Sequence, residues 1–214
     1  MVEVIGVHRL RVGDMMAGID ELMDGEKADF FFSDPPWGPG TLKYWQTLNE
    51  KQNPGEVRAR VVSYHEFIRQ MFALAVRHTS KMVFIETGLR WADMLKGVGE
   101  EVGLRYLGMG DMLYVSGSRK LPMKHLVFGV GYTPYALTKD YFETLTDLYG
   151  YAAVRATMEP FVEPGATILD PCCGLGLVAR FAVEYGMKFR GNELSKHRAE
   201  QTRIKLRKAV GGLV

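Results

Sequence analysis

The chain has 214 residues, of which 47% are hydrophobic and 24% charged, with a formal net charge of +2. That composition supplies the core of one globular domain and excludes intrinsic disorder. No apolar run approaches the ~20 residues of a membrane helix, no secretory leader is expected, and a charge so near neutral does not by itself argue for a nucleic-acid binder.

The two cysteines, Cys172 and Cys173, are adjacent. They cannot staple distant segments, and nothing nearby has metal-ligand spacing, so a reduced, cytoplasmic protein without a metal site is expected.

Strand and helix alternate through most of the sequence, which predicts an α/β fold on a largely parallel sheet. Residues 7–13 read as a strand ending at Asp14, 15–23 as a helix closed by Gly25, and 28–33 as a short apolar strand suited to a central position. Residues 38–55 carry turn formers without a clear period and read as the longest loop. Within it, Tyr44 and Trp45 either close over a target base or belong to a short helix with Leu42 and Leu48. Ser63 opens a helix through a capping box with Glu66, followed by a strand at 82–86 and a helix at 91–102. Residues 104–115 and 126–130 read as an antiparallel strand pair joined by a basic connection around Ser116-Gly117-Ser118. A helix over 137–157, broken at Gly150, leads to a strand at 167–169, a glycine loop, a helix at 178–185 and a strand at 189–192. Ser195 caps a basic C-terminal helix. No repeat or linker divides the chain, so residues 1–214 read as a single domain.

The cations Lys196, Arg198, Arg203, Lys205, Arg207 and Lys208 read as the solvated face of the last helix. Arg119, Lys120 and Lys124 sit on the predicted connection and are candidates for phosphate contact. His65 and His78 read as surface groups.

Asp170 stands at the carboxyl end of a strand, and Gly174 and Gly176 follow before an apolar helix. Open α/β sheets bind ligands at that edge, where glycine permits close backbone approach and a helix amino terminus offers free N–H donors. Glu193 lies 17 positions after Gly176, near the spacing at which an acid accepts hydrogen bonds from ribose hydroxyls. These residues point to a ligand without identifying it.

The sequence Asp34-Pro35-Pro36-Trp37 follows the apolar strand at 28–33. The prolines donate no N–H and restrict both themselves and Asp34. The loop therefore offers a carboxylate and a carbonyl as acceptors beside an aromatic ring. That suits a planar group with an exocyclic amine: both amine hydrogens are accepted while the ring stacks on Trp37. Asp34 also stabilises positive charge developing on the nitrogen.

Taken together, the two motifs resemble those of amino-methyltransferases that use S-adenosylmethionine and modify adenine N6 or cytosine N4. Asp34-Pro35-Pro36-Trp37 matches their acceptor motif, and Asp170 to Gly176 resembles their Asp-Pro-Phe-x-Gly-x-Gly cofactor motif. The acceptor-first order looks like the permuted β group, and the resemblance covers almost the whole chain. It implies a Rossmann-like methyltransferase fold whose mostly parallel sheet has one antiparallel strand. It also implies S-adenosylmethionine as cofactor, with Asp14 and Leu194 near its adenine, Glu193 at its ribose, and Asp170, Cys172, Gly174 and Gly176 in its loop. For Asp14, a helix-capping role is the competing reading.

The departures are specific. Cys172 stands where the family has Phe, Leu175 and Leu177 replace small hydroxyl residues, and the Lys-Pro element before the cofactor strand is missing. No target-recognition insert is present; only the Arg119 connection and Gly131-Tyr132-Thr133-Pro134-Tyr135 occupy its place. The resemblance thus favours a DNA adenine-N6 methyltransferase of relaxed sequence specificity, acting on a flipped or single-stranded base. Cytosine N4, an RNA or small-molecule amine, and a non-catalytic partner role are the alternatives. Self-association is a further expectation, since a small chain without a recognition domain can borrow surface from a second copy.

Overall fold

A computed structural model describes residues 1–52, 63–132 and 135–211. The end of the predicted 38–55 loop, and Thr133 and Pro134 of the 131–135 stretch, lie outside these residues.

One eight-stranded sheet organises the chain. In chain order its strands are β1 (Val2–Ile5), β2 (His8–Val12), β3 (Ala28–Ser33), β4 (Thr79–Gly88), β5 (Arg105–Ser116), β6 (Arg119–Gly129), β7 (Thr167–Asp170) and β8 (Lys188–Glu193). They lie in the order β1-β2-β8-β7-β3-β4-β6-β5. The pairs from β2 through β8, β7 and β3 to β4 are parallel. β6 runs antiparallel to both β4 and β5, and β1 antiparallel to β2. Two strands therefore oppose the others, where one was expected. The second arises because the chain first makes a short hairpin through Gly6.

Period-two alternation divides the core between the faces of the sheet. Phe31, Val83, Ile85, Phe128 and Leu169 pack on one face beneath α1 (Ile19–Met23), α3 (Tyr64–His78) and α4 (Ala92–Glu101). Phe30, Phe32, Met82, Phe84, Ile168 and Phe189 pack on the other, beneath α6 (Gly150–Met158), α7 (Leu177–Glu184) and α8 (Lys196–Gly211). Each such side chain, fully buried, contributes about 1.5–3 kcal/mol. The predicted capping box is half realised: Ser63 Oγ accepts the Glu66 N–H at 3.1 Å.

Four local expectations change. Most of the predicted loop at 38–55 is a helix, α2 (Pro39–Gln52). Proline at its first position gives up no hydrogen bond, and Leu42 N–H donates to Gly38 O at 3.0 Å to start the ladder. The apolar period is weak because Leu42 is the buried anchor while neighbouring side chains face a cavity.

β6 begins at Arg119, so Arg119, Lys120 and Lys124 stand on a strand. Residues 119–122 pair only with β5 and extend past β4 as a two-stranded ribbon, where Pro122 is tolerated.

The predicted helix at 137–157 is two helices, α5 (Lys139–Glu143) and α6, because the chain between them hydrogen-bonds the sheet edge through Leu113 N–H to Leu148 O at 2.9 Å. His78 is buried, with Nε2 2.9 Å from Asp20 Oδ1, and is not a surface group.

Among the described residues, no helix is long and apolar enough to cross a membrane, and no group of His, Cys, Asp and Glu could hold a metal ion.

Candidate active site

The carboxyl ends of β4, β3, β7, β8 and β2 carry Glu86, Asp34, Asp170, Glu193 and Asp14 in that lateral order. Period two dictates the arrangement. Glu86 follows Phe84 by two residues, Asp34 follows Phe32, Asp170 follows Ile168, and Glu193 follows Phe189 by four, each acid extending a row of side chains buried on one face. This edge opens into a cavity of about 640 Å³, lined by Asp14, Asp34 and Glu193 among others, with α2 and α8 along its sides.

Crowding acids into one edge shifts their titration. Burial pushes Asp34 up to about 6, against the opposing pull of the Trp37 N–H and the Arg198 guanidinium. Its side chain nevertheless meets solvent through the cavity. Glu86 and Asp170 are pushed well above the usual carboxylate range, first by burial and then by neighbouring acids.

The Asp34-Pro35-Pro36-Trp37 loop is fixed by its own contacts. Trp37 Nε1–H donates to Asp34 Oδ1 at 2.8 Å, and Gly38 N–H donates to Pro36 O at 3.1 Å. The Trp37 ring meets Tyr114 edge-on, with centroids 5.0 Å apart. Gly38 is required here: its φ is +96°, and a Cβ would stand 2.6 Å from the Trp91 ring.

The second loop is knitted to the end of β8. Asp170 Oδ1 accepts the Cys172 N–H at 3.1 Å. Glu193 accepts the Gly174 N–H at 2.7 Å with one oxygen and the Ser195 N–H at 2.8 Å with the other. Each carboxylate oxygen keeps further acceptor capacity. Buried Asn192 donates to Gly13 O at 3.0 Å and Pro171 O at 3.2 Å, and Arg11 donates to its Oδ1 at 3.0 Å. Gly176 precedes α7, its N–H donating to Cys173 O at 2.8 Å. Both thiols are pushed well up, first by burial and then by the carboxylates beside them, so they stay protonated and unreactive.

Most of the residues singled out by sequence meet at this cavity. Asp14, Asp34, Pro35, Pro36, Trp37, Cys172, Glu193 and Leu194 line it, as do Tyr44 and Trp45 from α2. Tyr44 is 61% exposed, so the reading of the pair as core residues of a helix is half right: the helix exists, and the rings face the cavity. Asp170, Gly174 and Gly176 do not line it; they belong to the strand end and loop whose Pro171 and Cys172 do. Asp14 also caps the 3-10 turn that follows it, accepting the Met16 N–H at 2.9 Å, so the capping reading holds alongside its place at the cavity.

Arg119, Lys120 and Lys124 do not line it. Lys124 pairs with Asp111 at 2.6 Å, and Lys120 lies over the Tyr149 ring. Their ribbon instead reaches the cavity through Tyr114 and Leu121. Sequence reasoning missed Glu86, Arg198, Tyr114 and Leu121. Glu86 was findable by the rule that picked out Asp34 and Asp170, an acid ending an apolar strand. Arg198 was hidden among the cations of its helix.

No protein-family model matches the chain, and no curated protein matches it in sequence. Solved structures do match it in shape. TTHA0409 of Thermus thermophilus, named provisionally as a DNA modification methylase, superposes with a TM-score of 0.69 at 15% identity over 96% of this chain and 97% of that one. M1.HpyAVI in complex with S-adenosylmethionine gives 0.67 at 15% identity over 92% and 98%. The cytosine-N4-specific PvuII DNA methyltransferase gives 0.57 at 11% identity over 95% and 92%. At these identities the likeness is one of fold: the chain has the mixed α/β fold of the S-adenosylmethionine-dependent methyltransferases.

Proposed function

We propose that this protein is an S-adenosylmethionine-dependent DNA methyltransferase that methylates an exocyclic amine, with adenine N6 the preferred acceptor. The observation that carries the proposal is the meeting of Asp34-Pro35-Pro36-Trp37 with Asp14, Cys172, Glu193 and Leu194 around one cavity. The acceptor-first order of the motifs supports membership of the permuted β group, as one domain without a separate recognition domain. Sequence preference is correspondingly relaxed.

The residues present fit the cofactor. An acidic cavity complements a sulfonium and an ammonium, Glu193 retains acceptor capacity for a ribose, and the glycine loop lets backbone come close. Asp14 and Leu194 would sit at the adenine, and Asp170, Cys172 and Gly174 along the rest. When bound, S-adenosylmethionine supplies an electrophilic methyl group on sulfur.

The chain's own residues prepare the acceptor. Gly38 already engages the Pro36 carbonyl, which leaves the Pro35 carbonyl and Asp34 to accept the two amine hydrogens. Held in this way, the nitrogen lone pair is freed from the base and aimed into the cavity, and orientation supplies much of the rate. Ionised Asp34 stabilises the positive charge on nitrogen until a proton leaves it. Tyr114 and Trp37 provide aromatic surface beside the base.

Nucleoside mass spectrometry of DNA incubated with protein and S-adenosylmethionine tests the proposal. N6-methyladenine is the expected product. N4-methylcytosine would move the acceptor to cytosine, the reading favoured by the PvuII enzyme's similar fold. Product only on RNA or free nucleotides would remove DNA as the substrate.

A further inference from the structure

Arg198 stands apart from the other cations of α8. Arg203 and Arg207 both donate to Glu3, and Lys205 donates to Leu175 O at 2.6 Å. Half-buried Arg198 instead faces the cavity and is its only cationic side chain among the described residues. The same cavity is lined by the acids Asp14, Asp34, Glu50 and Glu193.

Two contacts fix the guanidinium. It lies over the Trp45 ring of α2, 5.0 Å from the centroid, close enough for cation–π attraction. It also rests on the glycine loop, where a Cβ at Gly174 would stand 2.8 Å from its Nη2. Among the described residues, no carboxylate forms an ion pair with it. Its five donors are thus held beside an open space in which every other charged lining group is acidic.

A ligand with positive centres and one carboxylate matches that pattern. The acids attract the cationic parts and repel the carboxylate, which has one favourable position, against the fork of Arg198. The methionine end of S-adenosylmethionine carries a sulfonium, an ammonium and a carboxylate. The Lys-Pro element and the small hydroxyl residues that the resemblance leads one to expect are missing from this chain, so another group must hold that end.

We infer that Arg198 is the anchor of the cofactor's α-carboxylate, held over the glycine loop by the face of Trp45. The inference rests on the cofactor reading above and names a residue for one part of that ligand.

Isothermal titration calorimetry with three ligands tests it: S-adenosylmethionine, S-adenosylhomocysteine and decarboxylated S-adenosylmethionine. The wild-type protein is expected to bind the two carboxylate-bearing ligands more tightly than the decarboxylated one. Arg198→Gln should weaken both by about 10–100-fold, the scale of one charge-assisted contact, and leave the decarboxylated ligand unchanged. That unchanged binding also reports that the variant is folded. Equal weakening of all three would reduce Arg198 to a residue that shapes the cavity, and no weakening of the first two would remove it from the site; either result overturns the inference. Failure of the wild-type protein to bind any of the three would overturn the cofactor reading, and the anchor with it.

Discussion

The Trp37 indole N–H donates to Asp34 Oδ1 at 2.8 Å, so the ring that flanks the acceptor space also orients the carboxylate within it. One oxygen of Asp34 is engaged by the loop itself, and in the proposed reaction the other receives the amine. This relationship separates two roles that a ring of this kind can play. Trp37→Phe keeps an aromatic surface and removes the donor. Methylation by that variant is expected to slow by about tenfold or more, the weight of one hydrogen bond to a charged group, with cofactor affinity unchanged in calorimetry. Asp34→Ala removes the charge partner and should cost about 10²–10³ in rate. An Asp34→Ala enzyme as fast as wild type would falsify the assigned role.

Titration of Asp34 gives a second expectation. The proposed reaction needs the ionised carboxylate, and burial places its pKa at about 6. Initial rates at subsaturating DNA should therefore rise with pH through about 6 and level off above it. Because the Trp37 hydrogen bond lowers that pKa, Trp37→Phe should move the rise to higher pH. A rate independent of pH between 5 and 8 would exclude Asp34 as the titrating group.

The row of acids has a cost in stability. Asp34, Glu86 and Asp170 all titrate above their ordinary values. Between about pH 4, where carboxylates titrate in the unfolded chain, and these raised values, the folded protein binds more protons than the unfolded one. Stability therefore falls as pH climbs through that window. Glu86→Gln removes one member without changing its shape. Because solvent partly screens the site, the expected gain is about 1 kcal/mol, or ~2–4 °C in melting temperature, at pH 8. No gain is expected at about pH 3, below the unfolded value, where the glutamate is protonated in both states. Melting curves at the two pH values decide it, and equal gains at both would point to a packing effect.

How far the sequence carried the reading follows from these same residues. Asp34, Asp170 and Glu193 were legible because each stands by a local motif at a strand end, Asp34 before Pro35-Pro36-Trp37, Asp170 before the glycine loop and Glu193 at 17 positions from Gly176, and the parallel order of β2, β8, β7, β3 and β4 brings such ends together. The helix α2 was legible only as a short helix around Leu42 and Leu48, because much of its inward face lines a cavity in place of a core, and an amphipathic period needs a core. Arg198 was illegible for a related reason. A basic helix shows which residues are charged but not which one of them turns inward, and that depends on Trp45, 153 positions earlier in the chain. β5 was legible as a strand, but the start of β6 read as a connection because residues 119–122 pair only with β5 and acquire no buried stripe.

Gly174 links the loop to Arg198. Its φ of +54° lies in the left-handed region, and a Cβ would stand 2.8 Å from the Arg198 guanidinium. Gly174→Ala should cost about 1 kcal/mol from backbone strain, lowering the melting temperature by ~2–4 °C. The steric conflict is with the end of a flexible side chain, so the fold yields there first and Arg198 is displaced. Calorimetry should then show weaker binding of S-adenosylmethionine than of its decarboxylated analogue, relative to wild type. A variant with lowered melting temperature but wild-type discrimination between the two ligands would show that Arg198 keeps its place.

The ribbon supplies the last prediction. Arg119 and Lys120 are exposed at its outer end, while Tyr114 and Leu121 of the same ribbon line the cavity. A strand of DNA with one base in the cavity would bring its neighbouring phosphates near those cations. Each phosphate contact releases counterions, so binding weakens with salt in proportion to the number of contacts. Arg119→Ala and Lys120→Ala should each weaken DNA binding and reduce the slope of log affinity against log salt by about 1, without altering S-adenosylmethionine binding. Fluorescence anisotropy with a labelled oligonucleotide across a salt series measures this directly. An unchanged slope in the double variant would move the phosphate path off the ribbon, and Lys205 and Lys208 on α8 would be the next cations to replace.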